Sequence, residues 1–374
     1  MKINEFKLER FFAKYEFTAP YLLCSSDCES WTIEELLSME EGSEEAFKKL
    51  RLGYTESSGS PVLREEISGL YKHIKPQDII VFAGAQEGIF IFMNVLMEKG
   101  DHIIVQWPCY QSLFEIAHSI GCDVTEWKMD EKNNWEIDIS FLKKHIRKNT
   151  KAIVINSPHN PTGYVIPEKK LMEIIEIASE HNIYIFSDEV YRFLEYDEKD
   201  RCLSLCDSYD KGVSLGVMSK SFGLAGLRTG WIAVRDILLR KKMACFKDFT
   251  SICNSAPGEF LSIIGLKHKD SLIKRNLQII KDNLMLLDSF FDRYSELFGW
   301  IRPEAGAIAF PEIKWDKNIE DFTMDLLKKK GVLLLPGTKY DFDDKHFRIG
   351  FGRKNMPYGL EKLEEYISDD MEGV

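Results

Sequence analysis

Short apolar runs alternate with helical patterns between Asp78 and Val234, and this alternation limits the folds open to the chain more than any other feature. Seven runs rich in β-branched residues are strand candidates: Ile79 to Phe82, Ile103 to Val105, Val124 to Trp127, Ala152 to Ile155, Ile183 to Phe186, Val213 to Val217 and Trp231 to Val234. Four helical patterns lie between them: Gln86 to Met97, Gln111 to Ile120, Phe141 to Ile146 and Glu168 to Glu180. Such alternation is typical of a mainly parallel sheet with helices on both faces. The sequence therefore predicts an α/β fold with a seven-stranded sheet sandwiched by helices.

The chain beyond Arg235 has a different pattern. A long helical stretch from Phe260 to Tyr294 precedes a mixture of strands and helices, which predicts a smaller α+β domain. The strand runs are Ala307 to Phe310, Val332 to Leu335 and His346 to Phe351, and the helices are Ile319 to Lys330 and Gly359 to Ile367. We therefore predict a large domain over residues 41–265, a small C-terminal domain over 266–374, and an N-terminal segment, 1–40, that joins the small domain and the mouth of the site.

The charge balance restricts the class of partner. The 374 residues carry 49 basic and 60 acidic side chains, a formal net charge of −11, without a long basic run. Nucleic acids and anionic membranes are polyanions, so this charge disfavours both. The first residues, MKINEFKLERFF, interrupt their apolar residues with charges, and no run approaches the roughly 18 apolar residues of a membrane helix. We expect a cytoplasmic protein that binds small molecules.

The eight cysteines are scattered and lack the CxxC pairs of zinc or redox sites. Cys24 and Cys28, like Cys202 and Cys206, have a CxxxC spacing, which would place two thiols on one face of a helix. In a cytoplasmic protein we expect reduced, mostly buried thiols and no metal site.

Lys220 follows the sixth strand candidate, at the edge of the sheet where open α/β folds bind ligands. A lysine amine is almost entirely protonated at pH 7, so a reactive amine needs burial, cationic neighbours or storage as a Schiff base with an aldehyde. The backbone could approach a ligand closely at three glycines, Gly223, Gly226 and Gly230. Arg228 carries a planar guanidinium group that suits a phosphate. These residues alone are equally compatible with a surface turn that carries a solvated lysine.

The stretch MSKSFGLAGLRTGW, residues 218–231, resembles the lysine signature of the class I/II aminotransferases, which are pyridoxal-phosphate (PLP) enzymes of fold type I. Motifs similar to that family's occur in the same order: AGAQEG after the first strand, NSPHNPTG after the fourth and SDEVY after the fifth. The resemblance implies a PLP-dependent homodimer that moves an amino group from an L-amino acid to a 2-oxo acid. It also implies that Lys220 holds the cofactor as a Schiff base, with Asp188 and Tyr191 completing the catalytic set.

The phosphate of the cofactor has its own candidates. Ala85 and Gln86 begin a helix whose first N–H groups suit an anion, and the resemblance adds Ser219 and Arg228. It also implies that Tyr54 reaches across a dimer interface to the cofactor phosphate of the neighbouring subunit.

The resemblance assigns the ring and the substrate to other side chains. Tyr110 would stack on the pyridine face. Asn160 and Tyr191 would hydrogen-bond the phenolic oxygen, and two prolines stiffen the loop that carries Asn160. Asp188 would keep the pyridine nitrogen protonated, which makes the ring a stronger electron sink for a carbanion at the substrate's Cα. Arg348, in HFRIGFG, would clamp the substrate's α-carboxylate, with Asn160 near it.

Two features depart from the family pattern. Val217 stands three residues before the lysine, where a hydroxyl residue is usual, so we expect weaker but adequate retention of the cofactor. The polar N-terminal loop SSDCESW has no assigned role and is similar to the group around capreomycidine synthase, whose substrates are guanidino amino acids.

Alternative functions follow from the same residues. A PLP-dependent lyase, cyclase, or oxidase or hydroxylase would use the same Cα carbanion. A NAD-type oxidoreductase is disfavoured because AGAQEG stands where a GxGxxG fingerprint would be. The aminotransferase-like half of a regulator is disfavoured because no DNA-binding module is expected before residue 40 and the lysine is present. The sequence does not indicate the amino donor.

Overall fold

The structure, a computed structural model, describes residues 2–372, without the side chains of residues 370–372. The α-helices are α1 (Lys7–Tyr15), α2 (Ile33–Leu37), α3 (Ser43–Lys48), α4 (Pro61–Ser68), α5 (Ala85–Leu96), α6 (Ser112–Ile120), α7 (Ile139–His145), α8 (Glu168–Glu180), α9 (Leu205–Ser208), α10 (Ile237–Lys247), α11 (Ala256–Lys267), α12 (Lys269–Arg293), α13 (Ile319–Lys330) and α14 (Met356–Glu372). The strands are β1 (Tyr21–Leu22), β2 (Ile79–Phe82), β3 (His102–Trp107), β4 (Asp123–Lys128), β5 (Thr150–Asn156), β6 (Tyr184–Asp188), β7 (Gly212–Val217), β8 (Gly230–Val234), β9 (Phe298–Gly299), β10 (Ile308–Ala309), β11 (Glu312–Ile313), β12 (Val332–Leu333), β13 (Leu335–Pro336) and β14 (Phe347–Gly350).

A seven-stranded sheet with the order β2-β8-β7-β6-β5-β3-β4 forms the centre of the molecule. Strands β3 to β7 run parallel to one another, and β8 lies antiparallel between β7 and β2. The sheet confirms the predicted mainly parallel architecture, and all seven predicted runs form its strands.

Both faces of the sheet are buried. Ile103 and Val105 of β3 pack in one apolar cluster with Phe92 of α5, whereas Ile104 packs in another with Ile174 of α8. Successive side chains of a strand point to opposite faces, so this division places α5 and α8 on opposite sides of the sheet. The strands therefore present their ends, and not their faces, to a ligand.

The C-terminal part of the chain forms three small sheets. Strands β10, β14 and β13 are antiparallel, β11 pairs with β9, and β1 pairs in parallel with β12. The predicted single strand from Val332 to Leu335 is therefore two strands in different sheets. This pairing brings Tyr21 and Leu22 of the N-terminal segment alongside the C-terminal part of the chain.

The predicted long helix from Phe260 to Tyr294 is also two helices. It is interrupted at His268, whose backbone has φ −106° and ψ 21°, outside the helical range. The sequence LKHKD around the break contains no Gly or Pro, so no local signal marked it. By contrast, Ser60 and Pro61 begin α4 as their pattern indicates, with Ser60 Oγ accepting from the Leu63 N–H.

None of the helices within residues 2–372 combines the length and apolar composition needed to cross a lipid bilayer. The eight cysteines are free thiols, and six of them are buried, as expected; Cys245 is exposed and Cys253 is partly exposed.

Candidate active site

A cavity of about 410 Å³ opens at the carboxyl edge of the central sheet. It brings together ten of the eleven predicted site residues: Ala85, Gln86, Tyr110, Asn160, Asp188, Tyr191, Ser219, Lys220, Arg228 and Arg348. The exception is Tyr54, whose side chain is 93% exposed and lies outside the cavity. Parallel strands end at one edge of a sheet, which explains why residues from separate strand ends meet here.

Lys220 is held at the end of β7 by a tight loop. The Met218 N–H donates to the Thr229 carbonyl at 3.0 Å, which closes the loop, and Lys220 Nζ donates to Ser26 Oγ at 2.7 Å. Burial lowers the pKa of Lys220 below its ordinary value, against the opposing charge of Asp27. The amine is therefore easier to deprotonate than a solvated lysine.

Asp188, the last residue of β6, carries a buried carboxyl group into the cavity. Its Oδ1 accepts a hydrogen bond from the Val190 N–H at 3.2 Å. Burial raises the pKa of Asp188 to about 7, although the Val190 N–H and Lys220 act in the opposite direction. A cationic N–H next to this carboxylate would lower the free-energy cost of burying its negative charge.

The loop after β5 is braced by Asn156. Its Oδ1 accepts from the Asn160 N–H at 2.6 Å, and its Nδ2 donates to the Asp188 carbonyl at 2.8 Å. The brace ties the Asn160 loop to the neighbouring strand end. Tyr191, on the segment after β6, donates its hydroxyl proton to the Ser26 carbonyl at 3.0 Å.

The N-terminus of α5 forms one end of the cavity. Among residues 2–372 no side chain caps the helix, and a Cβ at its N-cap residue, Gly84, would lie 2.5 Å from Arg228 Nη2. A Cβ at Gly230 would lie 2.7 Å from the Ala85 nitrogen, so glycine permits this close approach of two backbones. At Gly226, by contrast, a Cβ would meet no atom of the described residues within 4 Å.

Three carboxylates of the N-terminal segment, which the sequence motifs did not indicate, form one wall of the cavity. Glu9, Glu16 and Asp27 line the cavity. Glu9 accepts from the Tyr110 hydroxyl at 2.8 Å, and Asp27 accepts two hydrogen bonds from Arg353, at 3.1 and 2.9 Å. The Glu16 carboxylate has no hydrogen bond or ion pair within the described residues, and burial raises its pKa against the opposing charge of Arg353. The polar loop SSDCESW contains Asp27 but neither Glu9 nor Glu16, so it signalled only part of this wall.

Comparison with known proteins decides the family. The profile described as Aminotransferase class I and II matches residues 22–363. The chain belongs to the class I and II aminotransferases. A crystal structure of a PLP-dependent aminotransferase from Streptococcus suis is 34% identical and superimposes with a TM-score of 0.93 over 99% of each chain.

Two curated relatives of this aminotransferase illustrate the range of its family. An aspartate aminotransferase from Sulfurisphaera tokodaii is 28% identical over 334 residues, which is 84% of this chain and 82% of the relative. Capreomycidine synthase from Streptomyces vinaceus is 24% identical over 371 residues, 98% of this chain and 94% of the relative. The similarity seen in the N-terminal loop therefore extends along most of the chain.

The cofactor of this aminotransferase is pyridoxal 5'-phosphate. The donor set of the cavity fits that molecule. The uncapped N-terminus of α5 and Arg228 suit a phosphate, and the buried Asp188 carboxyl suits a ring N–H. The Gln86 Oε1 atom is also buried and has no hydrogen-bond partner among the described residues, which leaves an acceptor for a bound molecule.

Proposed function

We propose that this aminotransferase moves the amino group of an L-amino acid to a 2-oxo acid in the cavity around Lys220. One observation carries the proposal: the Lys220 amine, the buried Asp188 carboxyl and the buried Arg348 guanidinium line one cavity. Lys220 suits an aldehyde, Asp188 suits a ring nitrogen and Arg348 suits a substrate carboxylate. The proposed division into domains, with boundaries at residues 40 and 265, places Lys220 and Asp188 in the large domain and Arg348 in the small one.

Four residues would hold the cofactor phosphate. The backbone N–H groups of Ala85 and Gln86 would donate to it at the positive end of α5, and Ser219 and Arg228 would donate from the opposite side. Val217 lines the same cavity and contributes no hydroxyl. The phosphate would therefore lack one donor relative to the usual family pattern.

The ring of the cofactor would contact a second set of residues. Asp188 would accept from the ring N–H, Tyr110 would pack on the ring face, and Asn160 and Tyr191 would donate to the phenolic oxygen. When bound, the cofactor supplies an electron sink that stabilises negative charge at the substrate's Cα.

Lys220 would hold the cofactor aldehyde and act as the general base. Its lowered pKa raises the fraction of neutral amine that can accept a proton from the substrate's Cα. Ser26 Oγ accepts a hydrogen bond from the amine at 2.7 Å and would orient it when it is free. Arg348 would bind the α-carboxylate and so hold the Cα proton towards the base.

The charges of the cavity favour a substrate with a cationic side chain. Arg228, Asp188 and Arg348 are assigned to the phosphate, the ring and the α-carboxylate. The carboxylates then left in the lining of the cavity are Glu9, Glu16 and Asp27. Arg353 neutralises Asp27, but Glu16 has no ion pair within the described residues. An ammonium or guanidinium group beside Glu16 would lower the cost of burying its charge.

We also propose a homodimer in which Tyr54 serves the neighbouring site. The support is its exposed position outside the cavity of its own chain, together with the role that the family resemblance implies.

The decisive experiment is a spectrum followed by peptide mapping. The purified enzyme is expected to absorb in the visible range, to change on borohydride reduction, and to carry the reduced cofactor on the peptide containing Lys220. Lys247 is the internal control, because it is also a buried lysine whose pKa burial lowers. Reduced cofactor on Lys247, or on neither peptide, would contradict the proposal. Screening amino donors against one 2-oxo acid then tests the side-chain preference, with arginine and ornithine set against aspartate and glutamate.

A second function, cyclisation or elimination from the same Cα carbanion, is favoured by the similarity to capreomycidine synthase. Turnover that depends on a 2-oxo acid indicates transamination. Product formation or ammonia release without any 2-oxo acid indicates the second function.

A further inference from the structure

The hydroxyl of Tyr340 bridges two of the groups assigned above to the substrate and the cofactor. It accepts a hydrogen bond from Arg348 Nη1 at 2.6 Å and donates one to Asn160 Oδ1 at 2.8 Å. Tyr340 is 1% exposed and does not line the cavity. Its hydroxyl therefore reaches the cavity only through its two partners.

The orientation of Arg348 is set from two sides. The Cys24 carbonyl accepts from Nε at 3.1 Å and from Nη2 at 2.8 Å, and the Tyr340 hydroxyl accepts from Nη1. A guanidinium group has five N–H donors, so one N–H remains on each terminal nitrogen. The remaining Nη1 N–H has only a 3.4 Å contact with Asn160 Oδ1. Two such N–H groups are what a carboxylate needs for a bidentate pair.

The orientation of the Asn160 amide depends on the same hydroxyl. Because Oδ1 accepts from Tyr340, the Nδ2 donors of Asn160 are directed to other partners. Burial raises the pKa of Tyr340 to about 12, against the neighbouring charge of Arg348. The hydroxyl thus keeps its proton, and can donate to Asn160, throughout the neutral range.

We infer that Tyr340 is a positioning residue that locks Arg348 in the orientation used to bind the substrate's α-carboxylate and fixes the Asn160 amide beside it. The inference rests on the proposed function, which assigns the carboxylate to Arg348. Removing the hydroxyl leaves one buried N–H of Arg348 and the Asn160 Oδ1 atom without a close partner, so both side chains lose a restraint. The loss of this restraint weakens binding of the substrate's carboxylate, which precedes the chemical step.

The test compares Tyr340→Phe with Tyr209→Phe in the PLP-loaded enzyme. Phenylalanine keeps the aromatic ring, which packs 5.8 Å from the ring of Phe310. Tyr209 is also buried, and its hydroxyl donates to the Ile183 carbonyl at 2.8 Å, before the amino end of β6 and outside the cavity. The probes are propionate, which carries a carboxylate, and propionamide, which has the same size without the charge. Dissociation constants are read from the visible spectrum, and KM and kcat are measured with the best donor of the screen and 2-oxoglutarate.

We expect Tyr340→Phe to weaken propionate binding by about tenfold and to raise both KM values by a similar factor, with little change in kcat. Propionamide binding should not change, and Tyr209→Phe should behave as the wild type. Tyr340→His, which can restore one hydrogen bond, should weaken propionate binding less than Tyr340→Phe.

Unchanged propionate affinity in Tyr340→Phe would overturn the inference, as would equal weakening of propionate and propionamide. Equal losses in Tyr340→Phe and Tyr209→Phe would also overturn it, since they would indicate a general effect on the fold. A wild type that binds propionate but does not transaminate would count against the proposed function and not against the role of Tyr340.

Discussion

Lys220 Nζ donates a hydrogen bond to Ser26 Oγ at 2.7 Å, across a sequence separation of 194 residues. The backbone carbonyl of the same serine accepts from the Tyr191 hydroxyl at 3.0 Å. The N-terminal loop therefore closes the cavity directly over two of the residues to which we assign the chemistry. Its role, which the sequence left open, is at least to complete the wall around the proposed base.

Ser26→Ala is expected to lower kcat by a few fold, since one hydrogen bond that orients the free amine contributes about 1 kcal/mol. Steady-state kinetics with the best amino donor measures the effect. Ser25→Ala is the matched control, because Ser25 lines the same cavity and its buried Oγ has no hydrogen-bond partner in the part of the chain that the structure describes. Equal kcat in the two variants would show that Ser26 does not orient the amine.

Asp188→Asn should lower kcat by at least about a hundredfold, because a neutral amide does not stabilise a protonated ring nitrogen. Visible spectroscopy should still detect bound cofactor. Glu189→Gln is the control: this neighbour is equally buried, but its carboxylate accepts from Ser204 and Ser214 behind the sheet edge. A comparable loss of kcat in Glu189→Gln would point to general damage instead.

Val217→Thr is expected to slow the loss of cofactor, because the two side chains have nearly the same volume and threonine adds a hydroxyl donor to the phosphate end of the cavity. Dialysis followed by absorbance measures the dissociation rate. Val217→Ala, which adds no hydroxyl, should not slow the loss. Identical dissociation rates in the wild type and Val217→Thr would mean that the missing hydroxyl does not weaken retention of the cofactor.

Tyr54 can be tested by subunit mixing. If each Tyr54 serves the neighbouring site, mixing inactive Lys220→Ala with impaired Tyr54→Ala should restore activity, since the hybrid dimer contains one intact site. Size-exclusion chromatography checks that hybrids form. Hybrids without restored activity would place Tyr54 in its own subunit's site or in none.

The stability of the chain should depend on pH through His346. Burial by itself would lower the pKa of His346, but hydrogen bonds to Asp343 at 2.7 Å and Glu131 at 2.9 Å outweigh it and raise the pKa to about 9. The stabilisation is therefore complete below the unfolded value of 6.5 and is lost as the pH rises through about 9.

Urea unfolding between pH 6 and 9.5 checks this prediction. The free energy of unfolding of the wild type should fall by roughly 3 kcal/mol relative to that of His346→Gln over this range. Parallel pH curves for the two proteins would contradict it.

The strand ends were predictable because their geometry is local. A continuous apolar run identifies a buried strand, and parallel strands bring their carboxyl ends to one edge whatever the details of packing. Asp188 at the end of β6 and Lys220 shortly after β7 could therefore be placed in one cavity, and so could Asn160 in the loop after β5.

Other residues could not be placed because nothing near them in the sequence predicts their partners. The break at His268 lacks a Gly or Pro signal. Tyr340 reads as an ordinary aromatic of the C-terminal part, yet its partner Asn160 is 180 residues away in the sequence.

The amino-acid sequence by itself determined the sheet, the order of the motifs and the position of Lys220 after a strand end, since each depends on short-range pattern. Only the tertiary structure decided that Ser26 and Glu16 enclose the lysine and that Tyr340 joins Arg348 to Asn160. The physical reason is that these contacts arise where the two ends of the chain pack over the sheet edge, and the free energy of such packing depends on surfaces that no single segment contains.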